Sequence, residues 1–102
     1  MLYHFLHTME TMPDGTLVML DVVNTEYIGW EGAYAVFDRE TFEANWAETA
    51  EDEDTSYTAE DVADWAEEMD AFTCWNVVSN RHRTPEAAEK ALRKELKKIF
   101  KA

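Results

Sequence analysis

Apolar positions along this chain change period three times, from two to about 3.6 residues and back again, and each change marks an element. Over Leu2 to Met9, Tyr3, Phe5 and Met9 share one side of an extended segment with His7 among them, which predicts a strand. Pro13-Asp14-Gly15 predicts a turn, because Pro presets φ and Gly accepts the positive φ that closes it. Leu17-Val18-Met19-Leu20-Asp21-Val22-Val23 is apolar and β-branched, bounded by Gly15 and Asn24, and reads as a second strand hairpin-paired to the first. From Thr25 to Gly32 the pattern breaks into a loop or short irregular strand, and Ala33-Tyr34-Ala35-Val36-Phe37 resumes as a third strand.

Asp38 then supplies a side-chain oxygen for the free amides of a helix start, and Phe42, Trp46 and Ala50 recur every four residues, so a helix is predicted from about Arg39 to Ala50. Thr58-Ala59-Glu60-Asp61 has the form of a capping box with Asp in place of Glu, opening a helix whose stripe is Val62, Trp65, Ala66, Met69 and Phe72. Cys74 to Asn80 predicts a fourth strand, with Trp75 and Val77 on one face and Val78 on the other. Thr84-Pro85-Glu86 opens the last helix with an N-cap, a proline at the first helical position and an acid at the positive dipole end. Its buried stripe is Ala88, Leu92, Leu96 and Ile99, backed by Phe100, and its wet face is Lys90, Lys94, Lys97, Lys98 and Lys101. The order is β-β-β-α-α-β-α. It predicts one small α+β domain over residues 1–102, an antiparallel sheet of about four strands packed against three helices.

Charge narrows the function. Residues 1–80 hold nineteen of the twenty-two carboxylates and one strongly basic side chain, Arg39, a net −18; residues 81–102 hold the other eight basic groups and three acids, a net +5, so the whole is −13. Two carboxylates about 6 Å apart repel by roughly 0.7 kcal/mol in bulk water, and like charges at i, i+4 cost a few tenths each. Such a surface is repelled by phosphate backbones and anionic leaflets, which disfavours direct binding to nucleic acid or membrane. No stretch approaches the roughly 20 apolar residues of a membrane span, and Met1-Leu2-Tyr3-His4-Phe5 lacks the basic flank of a signal peptide. The single Cys74 agrees with a reducing compartment, so a cytoplasmic protein is expected.

Chemistry of other kinds finds little support. His4 and His7, three apart in a strand, should point to opposite faces, and with Cys74 and His82 elsewhere no metal site is expected. Glu51-Asp52-Glu53-Asp54 lacks the glycine and alternating oxygen ligands of a calcium loop and reads as a solvated loop. Ser56 and Ser79 have no glycine elbow, Cys74 has no nucleophile motif, and three glycines leave no phosphate loop. The acids sit on solvent faces, where nothing raises a carboxyl into the range of a general acid. Neither an enzyme nor a cofactor is expected.

Plain solubility and salt adaptation also produce acidic surfaces, but ordinary surfaces mix signs, whereas cations are nearly absent before residue 81. Acids at i, i+4 on a helix recur at roughly 6 Å, a pitch similar to that of the phosphates along a DNA strand. In size, charge and lack of catalytic motifs the chain resembles the small acidic DNA-mimic proteins of phages and other mobile elements, including anti-CRISPR and anti-restriction inhibitors. Glu40, Glu43, Glu48, Glu51, Asp52, Glu53, Asp54, Glu60, Asp61, Asp64, Glu67 and Glu68 carry that resemblance. It implies stoichiometric inhibition of a basic nucleic-acid-processing protein, bound in the host cytoplasm through the two middle helices and the loop between them. The basic last helix departs from an all-acidic mimic; its lysines read first as a solvated face and second as a surface for homodimer pairing. The other reading is a small non-catalytic adaptor or regulatory protein, in which exposed aromatics, Tyr27, Trp30 and Tyr57, make the contact.

Overall fold

The computed structural model describes residues 3–25, 29–49 and 54–101. Its elements follow the expected order: β1 (Tyr3–Thr11), β2 (Leu17–Thr25), β3 (Gly29–Val36), α1 (Arg39–Thr49), α2 (Ala59–Trp65), β4 (Asn76–His82) and α3 (Pro85–Ile99). The four strands pair antiparallel in chain order, β1-β2-β3-β4. The hairpin between β1 and β2 closes where the amide of Gly15, at φ +91°, donates to the Met12 carbonyl at 2.9 Å and Asp14 accepts from the Thr16 amide at 2.9 Å.

Strict alternation on β2 buries both sides of the sheet's centre. Val18, Leu20 and Val22 join Met12 and the α3 residues Ala88, Leu92 and Leu96 in one core, edged by Leu6, Trp30, Tyr34, Val36, Val78 and Phe100. On the opposite face Met19, Val23, Ala33 and Ala35 are buried, and so is one charged residue, Asp21. A β-bulge lies in β1: His4 pairs with Val23 and Leu6 with Val22, so Phe5 is an extra residue with no opposite number. One inserted residue reverses the inward and outward alternation on either side of it.

Several boundaries differ from expectation, each for a local reason. Of the two readings of the segment ahead of Ala33, loop or short irregular strand, the second holds from Gly29: β3 begins there, and the φ of +93° and lack of a side chain let the backbone pass so close to β4 that a Cβ would lie 3.0 Å from the His82 carbonyl oxygen. Residues 26–28 lie outside the described residues. Correspondingly β4 runs to His82, with Arg81 at φ +63° and register shifts between Trp30 and Ala33. The α2 helix stops at Trp65, short of Met69 and Phe72, in a Schellman-type turn: the Ala71 amide donates to the Ala66 carbonyl and the Asp70 amide to Glu67, with Asp70 in the left-handed region at φ +52°. At the far end Ile99 is 46% exposed, because α3 stops there and Phe100 turns inward to meet Tyr34 edge-on at 5.9 Å between ring centres.

By contacts the chain forms two compact units, residues 1–36 with 74–102, and residues 37–73. The first holds the sheet with α3 across it, and the second holds α1 and α2. Topologically the second is an insertion in the β3–β4 hairpin. In the first, Arg93 on α3 clamps Glu10 on β1 through two hydrogen bonds of 2.9 Å, and Glu89, one turn earlier on the same helix, lies 3.5 Å away.

Hydrogen bonding to Arg93 holds the Glu10 carboxyl below its ordinary value, so its stabilisation is present above the unfolded pKa and disappears as pH falls through the lower folded one. Since both side chains are about a third exposed, Glu10→Gln should cost only about 0.5–1 kcal/mol at pH 7 and progressively less as pH falls through the lowered pKa of the folded carboxyl, read from urea midpoints along an acid pH series. Asp70→Gly should instead raise stability by about 0.5–1 kcal/mol, because glycine adopts the left-handed conformation without a Cβ penalty; an unchanged or lowered urea midpoint would contradict the turn geometry.

Candidate functional site

Dividing the charge between the two units gives an uneven result. Residues 1–36 and 74–102 carry eight carboxylates and eight basic groups, a net charge of zero. Residues 37–73 carry fourteen carboxylates against Arg39 alone, a net −13, which is the entire charge of the chain. The ion pairs of the α3 cations Arg93 and Lys98 are made with Glu10, Glu89 and Glu95, inside the sheet unit.

What holds the acidic unit together is aromatic. Phe42 is fully buried, with Trp46 stacked on it one turn away at 5.6 Å, Tyr57 edge-on at 5.0 Å and Phe37 at 5.7 Å. Phe37 in turn meets Phe72, and the backbones of these two form an isolated antiparallel bridge. Val62, Ala66 and Ala71 complete the buried set. Polar contacts tie the rest: Asn45 donates to the Met69 carbonyl, and the Trp46 indole donates to the Ser56 carbonyl at 3.2 Å.

Around this core the predicted acids face outward. Glu40, Glu43, Glu48, Asp54, Glu60, Asp64, Glu67 and Glu68 are exposed and Asp61 is half-buried; Glu51, Asp52 and Glu53 lie outside the described residues. Because α2 is short, Glu67 and Glu68 sit on the turn after it and only Glu60 and Asp64 continue as a helical row. Asp61 is engaged in the capping box that its sequence announces, accepting from the Thr58 amide at 2.8 Å while the Thr58 hydroxyl accepts from the Asp61 amide. Asp38 likewise caps α1 through the Thr41 hydroxyl and amide. Hydrogen bonds from the Ser56 hydroxyl and amide hold the Asp54 carboxyl below its ordinary range, so it stays charged.

The aromatic candidates are placed differently from expectation. Trp30 is half-buried against the sheet core with Phe5 edge-on at 6.3 Å, and Tyr57 is half-buried over Phe42, its hydroxyl donating to Glu43, which pushes the phenol above its ordinary pKa. Neither is a free platform; both serve packing. Tyr27 lies outside the described residues. In the acidic unit the outward aromatic is Trp65, 42% exposed, which with Trp46, Thr49 and Met69 lines an apolar groove of about 220 Å³. Its position in an apolar stripe predicted burial, and it is exposed instead, whereas its stripe neighbours Val62 and Ala66 are buried.

A second cluster lies in the sheet unit. The bulge at Phe5 puts His4 and His7 on the same face instead of opposite ones, and both Nδ1 atoms reach Oδ1 of Asp21, at 2.8 and 3.3 Å. The rings meet edge-on at 5.5 Å, and Trp75 lies 6.4 Å from His7. The one signal of this cluster in the sequence is Asp21 itself, a lone acid inside an apolar strand.

No family model, curated protein or solved structure matches the chain. Among the described residues, no helix is long and apolar enough to cross a membrane.

Since the acids need a rigid support, the Phe42 stack is the weak point of the unit. Phe42→Ala should cost about 3–5 kcal/mol, and amide exchange should show residues 37–73 losing protection while the sheet keeps its own. Uniform loss across both units would show that they do not fold as separate cooperative blocks.

Proposed function

We propose that residues 37–73 are a docking module for a cation-lined protein surface of the kind that holds nucleic acid, and that the chain acts as a stoichiometric inhibitor of the anti-CRISPR or anti-restriction sort. The observation that carries this reading is the confinement of the whole net charge to one unit with an aromatic core, its carboxylates outside. A surface selected for solubility alone would spread charge over both units and interleave cations. A field of one sign over a small body steers a basic partner and raises its on-rate, while like-charged surfaces are turned away. The groove of Trp46, Trp65 and Met69 supports a protein partner over a simple counter-ion atmosphere, because an apolar anchor within a charged rim is the arrangement that gives protein interfaces their affinity. Occupation of a nucleic-acid channel requires no catalytic group on the inhibitor.

The test is capture from host lysate at low and at moderate ionic strength, with duplex DNA as competitor. Binding should fall steeply with salt and be displaced by DNA. Replacing Glu48, Asp64 and Glu68 with Lys should abolish it, with an unchanged circular dichroism spectrum. All three are exposed and take no part in the caps of α1 and α2. Capture that ignores both salt and the triple reversal but is lost in Trp65→Ala would replace the mimic with an adaptor that binds through its apolar groove.

A further inference from the structure

We propose that His4, His7 and Asp21 form a binding site for one divalent first-row transition ion, Zn²⁺ in the first instance, with both imidazoles ligating through Nδ1 and the carboxylate through Oδ1. The three donor atoms lie within 4.8 Å of one another. Two of the separations, 2.8 and 3.3 Å, are close to the edge of about 3.3 Å that a tetrahedron with metal–ligand bonds of about 2.0–2.1 Å requires. Small rotations of the imidazoles, each partly exposed, open the cluster enough to admit an ion.

The surroundings argue that the carboxylate is there for a partner. Asp21 is 8% exposed at the centre of the sheet, flanked on its own face by buried Met19 and Val23 on β2 and by Ala33 and Ala35 on β3. An anion there costs several kcal/mol unless it is paired. Among the described residues its hydrogen bonds go to the two imidazoles. A divalent cation carries charge opposite to the carboxylate and takes both ring nitrogens and the oxygen as ligands. The bulge is what brings the two histidines together, since with regular alternation His4 and His7 would face opposite ways.

Ligand chemistry selects the ion. Two imidazoles and one carboxylate suit Zn²⁺ and its first-row neighbours, whereas Ca²⁺ and Mg²⁺ prefer oxygen throughout. Three protein ligands leave a fourth position, and the partial exposure of both histidines puts it within reach of water. Trp75, 46% exposed beside His7, borders the site on one side.

The exposed carboxylates of residues 37–73 will attract any divalent ion weakly, so the measurement must suppress them. The full chain, stripped with a chelator, is titrated calorimetrically with Zn²⁺ in the presence of about 5 mM Mg²⁺, which competes for oxygen-only sites. One ion per chain is expected, and Co²⁺ in place of Zn²⁺ should give the visible absorption of a four-coordinate complex. His4→Gln and His7→Gln should each weaken binding about tenfold or more while leaving the circular dichroism spectrum intact, since both side chains lie at the surface of an edge strand. The proposal is overturned if no saturable binding survives the Mg²⁺ background, or if one-to-one binding persists unchanged in both glutamine variants. Loss of binding in these variants with the acidic unit untouched also separates this site from the docking surface, on which it does not depend.

Discussion

Like-charge repulsion inside residues 37–73 is the constraint to which the rest of the molecule answers. With neighbouring carboxylates repelling by a few tenths of a kcal/mol each even in water, about a dozen of them use up a sizeable part of the 5–15 kcal/mol that typically separates folded from unfolded domains. Arg39 is the one basic residue in the unit, and its guanidinium donates to the Tyr57 hydroxyl. Relief comes from aromatic burial around Phe42 and from employing some of the acids structurally. Asp38 and Asp61 cap helices, Asp54 binds the Ser56 amide and hydroxyl, and Glu43 accepts from Tyr57. Each of these carboxylates satisfies donors that would otherwise need another partner, so part of the charge is retained at reduced net cost.

Residues 37–73 are close to the smallest length that a chain can stabilise alone without metals or disulfides. Their position in the topology compensates. The chain leaves at the end of β3 and returns at the start of β4, where Ala33 pairs with Val77 and Tyr34 with Asn76, so the two ends of the insertion are fixed side by side by sheet pairing. The entropy of bringing those ends together is already spent by the hairpin. The sheet unit has a net charge of zero and a core of its own.

Much of this is legible in the sequence where a single local rule decides the outcome. The Asp38, Thr58 and Thr84 helix starts, the Gly15 turn, the β2 run and the Ala88, Leu92, Leu96 stripe all appear where periodicity and capping chemistry put them. Sequence pattern misleads where a backbone irregularity intervenes. Gly29 leaves loop and irregular strand undecided in the sequence and lies in a strand, because close strand approach needs glycine as much as a turn does. Asp70 carries no mark of a helix end, since glycine is the usual residue in that conformation and aspartate takes it only at some cost. The outward placement of the acids follows from the pattern, whereas the burial of Trp30 and Tyr57 and the exposure of Trp65 depend on tertiary packing that spacing does not report.

The histidine pair shows how one such irregularity changes chemistry as well as shape. Counting by twos from His4 puts His7 on the other side of the sheet, and the count is valid for any strand without an insertion. Phe5 is that insertion, and it leaves no trace in composition or periodicity because bulges are set by pairing with the neighbouring strand. Asp21 is the residue from which the true arrangement is recoverable. A carboxylate in an otherwise apolar central strand must be met by donors or cations from an adjacent strand, and β1 offers His4 and His7 opposite Val23 and Asp21. Both histidines meet it because the extra residue places them on one face.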